Sequence, residues 1–183
     1  MTHDWIQRII LPPAIILSAG AISGYATTYL TMEQAQKICF PEATQFIPAD
    51  VTLTRAQIKA IEKDSGVHVR LPTEKVWRAM NGEKFLGWII RDEVLGKHEF
   101  IQWVLALNGD GSVRQIEILD YRETYGSEIR DATWRAQFRG KRHGAELKLD
   151  EDIKNISGAT LSCRHITDGV KRLLSFYEIA LKK

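Results

Sequence analysis

The sequence predicts an α+β fold: an antiparallel sheet packed against a long C-terminal helix, preceded by an N-terminal transmembrane helix. Three observations predict it. Asn81-Gly82 separates two strand-like runs, 76–80 and 84–93, and this dipeptide suits a tight hairpin because both positions accept positive φ. Residues 100–107 and 113–121 form a second such pair across Asn108-Gly109-Asp110-Gly111. Toward the C-terminus, Ile166, Val170, Leu173, Leu174 and Tyr177 recur at helical spacing, so 161–181 reads as one helix with a core-facing stripe.

In chain order, residues 9–30 contain no charged side chain, and a bilayer takes about 20 apolar residues to cross. Arg8 precedes the segment and Glu33 is the first charge after it, which leaves the N-terminus in the cytoplasm and the domain outside. The segment 1–30 therefore reads as an uncleaved anchor. A signal peptide cut after Ala21 or Ala26 is the alternative, and either exports the domain. Residues 31–75 read as a helical lead-in, with helices over 31–38, ended by Phe40-Pro41, and over 54–64, stopped by Gly66. Residues 76–183 form the main domain. Within it Val113, Ile116 and Ile118 alternate with polar residues, as in a strand covered on one face. Residues 133–138 read as one or two helical turns.

The 25 basic and 23 acidic side chains leave a net charge of +2, too small and too evenly spread for a nucleic-acid surface. Cys39 and Cys163 make no disulfide framework, and no C-x-x-C supplies a zinc, iron–sulfur or c-type haem site. The histidines lack metal-binding spacing, and no glycine-rich nucleotide loop occurs. No nucleophile–base–orienter set is legible, so nothing suggests substrate turnover.

The chemistry concentrates at Ser157-Gly158-Ala159-Thr160, followed by Leu161-Ser162 and the final helix. A helix N-terminus carries unpaired N–H groups and the positive end of a dipole, which suit a phosphate. Gly158 and Ala159 leave room for a bulky group, and Thr160 offers a hydroxyl.

The tetrapeptide resembles the flavin-attachment motif of the FMN-binding domain family. Two other blocks resemble that family in the same order. One is Tyr29-Leu30-Thr31-Met32-Glu33 running to Phe40-Pro41-Glu42-Ala43. The other is the region from Gly96-Lys97-His98 through Tyr121-Arg122-Glu123 and Gly126-Ser127-Glu128 to Gln137-Phe138 and Gly140-Lys141. The sequence departs from the family at two places: Lys154 stands where an acidic residue is frequent, with Asp152 the nearest carboxylate, and Cys163 follows Ser162.

The resemblance implies FMN held by a phosphoester to Thr160, with Ser157, Gly158, Ala159, Leu161 and Ser162 around the link. It implies an extracytoplasmic electron carrier at the bacterial inner membrane, on the periplasmic side of a single N-terminal span. The flavinylated subunits of sodium-pumping quinone reductase and of Rnf-type complexes are relatives. A flavin transferase would attach the cofactor, and cytochromes, iron–sulfur or quinone-linked membrane proteins would exchange electrons with it. A flavin also needs a slot and polar groups to tune it. Trp134, Tyr125 and Leu161 are the expected walls. Glu128, by resemblance, is the expected hydrogen-bond partner, with Arg130 and Glu123 as further polar candidates. Arg122, Lys141 and His98 read as solvated, and Trp88 and Trp103 as core. Two rival readings are an unflavinylated assembly module of a membrane redox complex and a flavin reductase fed by a diffusing reductant.

Overall fold

The computed structural model describes residues 29–182. The predicted span 1–30 lies outside them, save for its last two residues. Among the described residues no helix is long and apolar enough to cross a membrane. Tyr29 and Leu30 belong to the domain instead: both backbone N–H groups donate to Leu119 O, at 3.0 and 3.3 Å.

The two early helices form where local signals place them. α1 (Met32–Cys39) and α2 (Arg55–Ser65) each begin with a reciprocal cap, Thr31 with Gln34 and Thr54 with Gln57. The threonine hydroxyl accepts the glutamine N–H and the glutamine amide oxygen accepts the threonine N–H, so two orphan donors are satisfied at each end. Each cap is worth about 1 kcal/mol.

Between these helices lie two short strands, β1 (Gln45–Pro48) and β2 (Val51–Thr52). The lead-in is therefore not wholly helical. Both strands run antiparallel to the same edge of β3 (Thr73–Asn81), as a single margin interrupted at Ala49–Asp50. β4 (Lys84–Leu95), β5 (Phe100–Asn108) and β6 (Val113–Asp120) continue the sheet in the order β1-β3-β4-β5-β6, all antiparallel. After β6 come a 3-10 turn (Ser127–Arg130), the short α3 (Ala132–Arg135), a second 3-10 turn (Ala136–Phe138) and a loop. The chain ends in α4 (Thr160–Phe176), which a π-type turn carries on through Tyr177–Leu181.

The sheet is covered on both faces, which explains the unbroken apolar run of β5 from Trp103 to Leu107. Ile101, Trp103, Leu105 and Leu107 face α2 and α4, where they pack with Ile61, Ile166, Val170 and Leu173. Val104 and Ala106 point the other way, into a smaller cluster with Ala35, Cys39, Phe40, Ile89 and Leu119 under α1. Full burial of a ring such as that of Phe40 contributes about 2–3 kcal/mol. The second layer corrects the expectation for β6. Its Glu117 lies on the α1 side and is buried rather than solvated, paired with Arg135. Arg172 of α4 is likewise buried, donating to Glu74 of β3 at 2.7 Å and pairing with Asp92 of β4 at 2.6 Å.

Candidate functional site

The turn before α4 sets up the site. Gly158 has φ +84, and a Cβ there would meet nothing within 4 Å, so the space above the turn is open. Ala159 is the N-cap residue and Thr160 the first residue of the helix. A cap by Thr160 or Ser162 is therefore not what starts α4. The first intrahelical bond from this turn is Cys163 N to Ala159 O, 2.9 Å, and the N–H groups of Thr160, Leu161 and Ser162 meet no acceptor among the described residues. These donors sit at the positive end of a 17-residue helix. The Thr160 hydroxyl oxygen accepts a hydrogen bond from Asn155 Nδ2 at 3.1 Å.

Two elements brace this turn. Gly126 lies against Ala159: a Cβ on Gly126 would come within 2.3 Å of Ala159 Cβ, and its φ is +86. Tyr121, just upstream, donates to Tyr125 O and lies 3.4 Å from Ser162 Oγ, so the 121–126 loop is tied to the first turn of α4. On the other side, Trp134 Nε1 donates to Lys154 O at 2.7 Å, and Lys154 N donates to Gln137 Oε1 at 2.8 Å. Both backbone groups of Lys154 are thus held by the 134–137 turn.

An open groove of about 340 Å³ runs beside the turn, lined by Glu128, Asp131, Thr133, Trp134, Gln137, Lys154 and Ile156. It brings Glu128 and Trp134 together, although Trp134 is nearly buried and also serves as the bolt on Lys154. Tyr125 and Leu161 do not line it. Tyr125 is 77% exposed and Leu161 41% exposed, on the outer side of the turn.

Several polar side chains have other partners than sequence reasoning gave them. Glu123 accepts from His98 N at 2.6 Å and Glu99 N at 3.0 Å; desolvation pushes its pKa up, but these N–H groups outweigh it and hold the carboxyl below its ordinary range. It shapes the β4–β5 hairpin. Arg130 stacks on the Tyr29 ring, 3.7 Å from the centroid. Lys141 is not solvated: it pairs with Asp152 at 2.7 Å, and Asp152 also accepts from Leu147 N and Lys148 N. Arg122 pairs with Asp120 at 2.8 Å. His98 is exposed and Trp103 is core, as expected, while Trp88 is half-buried against Phe85. Cys163 is buried, and desolvation pushes its thiol up to about 11, so it stays protonated beside the turn.

Residues 96–175, which hold β5, β6, both braces and the turn, match the model of the FMN-binding domain family. This segment is an FMN-binding domain. The chain is 26% identical over 129 residues to a component of the proton-translocating ferredoxin:NAD(+) oxidoreductase complex of Clostridium ljungdahlii, covering 66% of this chain and 70% of the relative. Its fold resembles that of Shewanella oneidensis NqrC, with a TM-score of 0.55 and 15% identity over 78% of this chain and 84% of the other.

The residues present fit FMN. The three N–H groups without acceptors among the described residues and the open space over Gly158 suit a phosphate, and the Thr160 hydroxyl lies at the same point. The adjacent groove offers an aromatic wall in Trp134 and a carboxylate in Glu128. Sequence reasoning missed Asn155, whose contact with Thr160 is local but matches no motif. Gly126 and Gln137 stand in the family-like blocks, but their bracing roles act across fold contacts that no spacing rule marks.

Proposed function

We propose that this protein is an electron-carrying subunit of a membrane redox complex, with FMN joined to Thr160 by a phosphoester. The carrying observation is the Thr160 hydroxyl on the first residue of α4, among three N–H groups without acceptors and beneath open space. When bound, FMN supplies reversible electron uptake and release. The chain's own residues do the rest. The N–H groups of Thr160, Leu161 and Ser162 would take the phosphate charge, Ser157, Gly158 and Ala159 leave its approach clear, and Glu128 and Trp134 flank the groove beside it. Tyr125 and Leu161 present an exposed surface where an electron-exchange partner would meet the site. A covalent link removes dissociation of the cofactor, which suits a carrier working away from the cytoplasmic flavin pool.

Membership in a membrane complex is supported by the Clostridium ljungdahlii relative, whose name is that of a complex subunit. The uncharged stretch 9–30 supports a single N-terminal anchor with the domain on the periplasmic side of the inner membrane. Maturation would need a flavin transferase, and cytochromes, iron–sulfur or quinone-linked proteins would be the redox partners.

The test is co-expression with a flavin transferase and measurement of intact mass beside Thr160→Ala. The parent is expected to gain the mass of one FMN less water, and Thr160→Ala to gain none. An unmodified parent would overturn the attachment and favour an assembly module. Rapid oxidation of a nicotinamide by the loaded protein alone would instead make it a flavin reductase.

A further inference from the structure

We infer that Asn155 is the hydrogen-bond donor that orients the Thr160 hydroxyl for flavin attachment. The inference rests on the attachment proposed above and adds a residue to it.

The geometry leaves the Asn155 amide one useful orientation. Its Oδ1 accepts the N–H of Ile156 at 2.8 Å, so its NH₂ group is the end that faces Thr160 Oγ1, at 3.1 Å. The residue before it is immobilised through its main chain by Trp134 and Gln137. Asn155 is therefore aimed from a fixed base. The Thr160 hydroxyl accepts this bond and its own hydrogen meets no acceptor among the described residues. One lone pair of the nucleophile is thus occupied, its proton is free to be given up, and the space over the neighbouring Gly158 is open for an incoming group.

That is the arrangement a phosphoryl acceptor needs. The donor would be a flavin joined to a second nucleotide by a phosphoanhydride. The Thr160 Oγ1–phosphorus bond forms and the anhydride P–O bond breaks. The nucleoside monophosphate leaves with the electron pair, and the hydroxyl proton passes to a base on the transferase. As that proton departs, negative charge grows on Oγ1, and the Asn155 N–H bond strengthens with it. The same bond would also offset the absence of a carboxylate at 154, since Lys154 is exposed and Asp152 is engaged by Lys141 and two N–H groups.

Two variants separate the donor role from a structural one. Asn155→Ala removes both bonds. Asn155→Asp keeps an acceptor for the Ile156 N–H but has no hydrogen to give and adds charge beside the incoming phosphate. The initial rate of adduct formation, read by intact mass with purified transferase and flavin dinucleotide, should fall roughly 10- to 100-fold in both, with melting temperatures close to the parent's. In the unmodified protein, Thr160→Val should shift the Asn155 side-chain amide resonances. A variant as fast as the parent, or amide resonances that ignore Thr160→Val, would overturn the inference. A parent that acquires no adduct would overturn the attachment itself, and the inference with it.

Discussion

Gly126 and Ala159 touch across 33 positions of sequence, and this contact decides how closely the 121–126 loop can approach the turn before α4. An alanine at 126 would hold a left-handed φ and push its methyl into Ala159. Gly126→Ala should cost about 1–3 kcal/mol in denaturant unfolding and slow flavin attachment as well. An alanine variant that unfolds at the parent's midpoint would show that the loop can retreat freely. At this scale the sequence is informative where the chemistry is local. Ser157-Gly158-Ala159-Thr160 makes a turn, an open approach and a hydroxyl from adjacent residues, so it can be read directly. Glu123 misleads because its partners, the N–H groups at 98 and 99, come from a hairpin that only the folded sheet brings near.

At the scale of elements, apolar spacing and stop signals announce α1, α2 and α4 to within a residue or two, because those signals are internal to each helix, whereas the reciprocal caps of α1 and α2 are seen only in the structure. The strands β3 to β6 were legible from alternation and turn residues. β1 and β2 were not: they are short and mostly exposed, and Pro48 and Asp50 break the pattern between them. The covering of β6 by α1 was also hidden, since Glu117 reads as solvent-facing until Arg135 is seen beside it. The 134–137 turn has a role no propensity gives it, as it grips the main chain of residue 154. Trp134→Phe keeps most of the packing against Phe138 but deletes the bond to Lys154 O. It should destabilise the protein by about 1 kcal/mol and raise hydrogen exchange at the Lys154 amide. Unchanged exchange there would remove the grip from the account.

Across the whole molecule, Arg172 ties α4 to two central strands, with one guanidinium serving two buried carboxylates. Desolvation pushes the pKa of both Glu74 and Asp92 up. A carboxyl whose folded pKa is raised holds its proton more tightly in the native state, so its contribution to stability is present at acid pH and is lost as pH rises. Arg172→Met should cost about 3–5 kcal/mol at neutral pH. Its deficit relative to the parent should widen as pH rises from about 4 to 7, because both carboxyls must then ionise without a counter-charge. A deficit constant across that range in thermal melts would mean the carboxyls ionise freely in the fold.

The two margins of the sheet carry a last consequence. On one side the strand is cut at Ala49–Asp50 and Pro48 has no N–H to offer. On the other, β6 has several backbone groups already taken along its length: Val113 by residues 140 and 141, Ile116 O by Arg135, and Leu119 O by Tyr29 and Leu30. Another polypeptide therefore finds no continuous ladder to extend, and copies of this domain are discouraged from the edge-to-edge stacking that leads to fibres. A partner met through side chains alone can be engaged briefly and reversibly, as the proposed electron carrier would require.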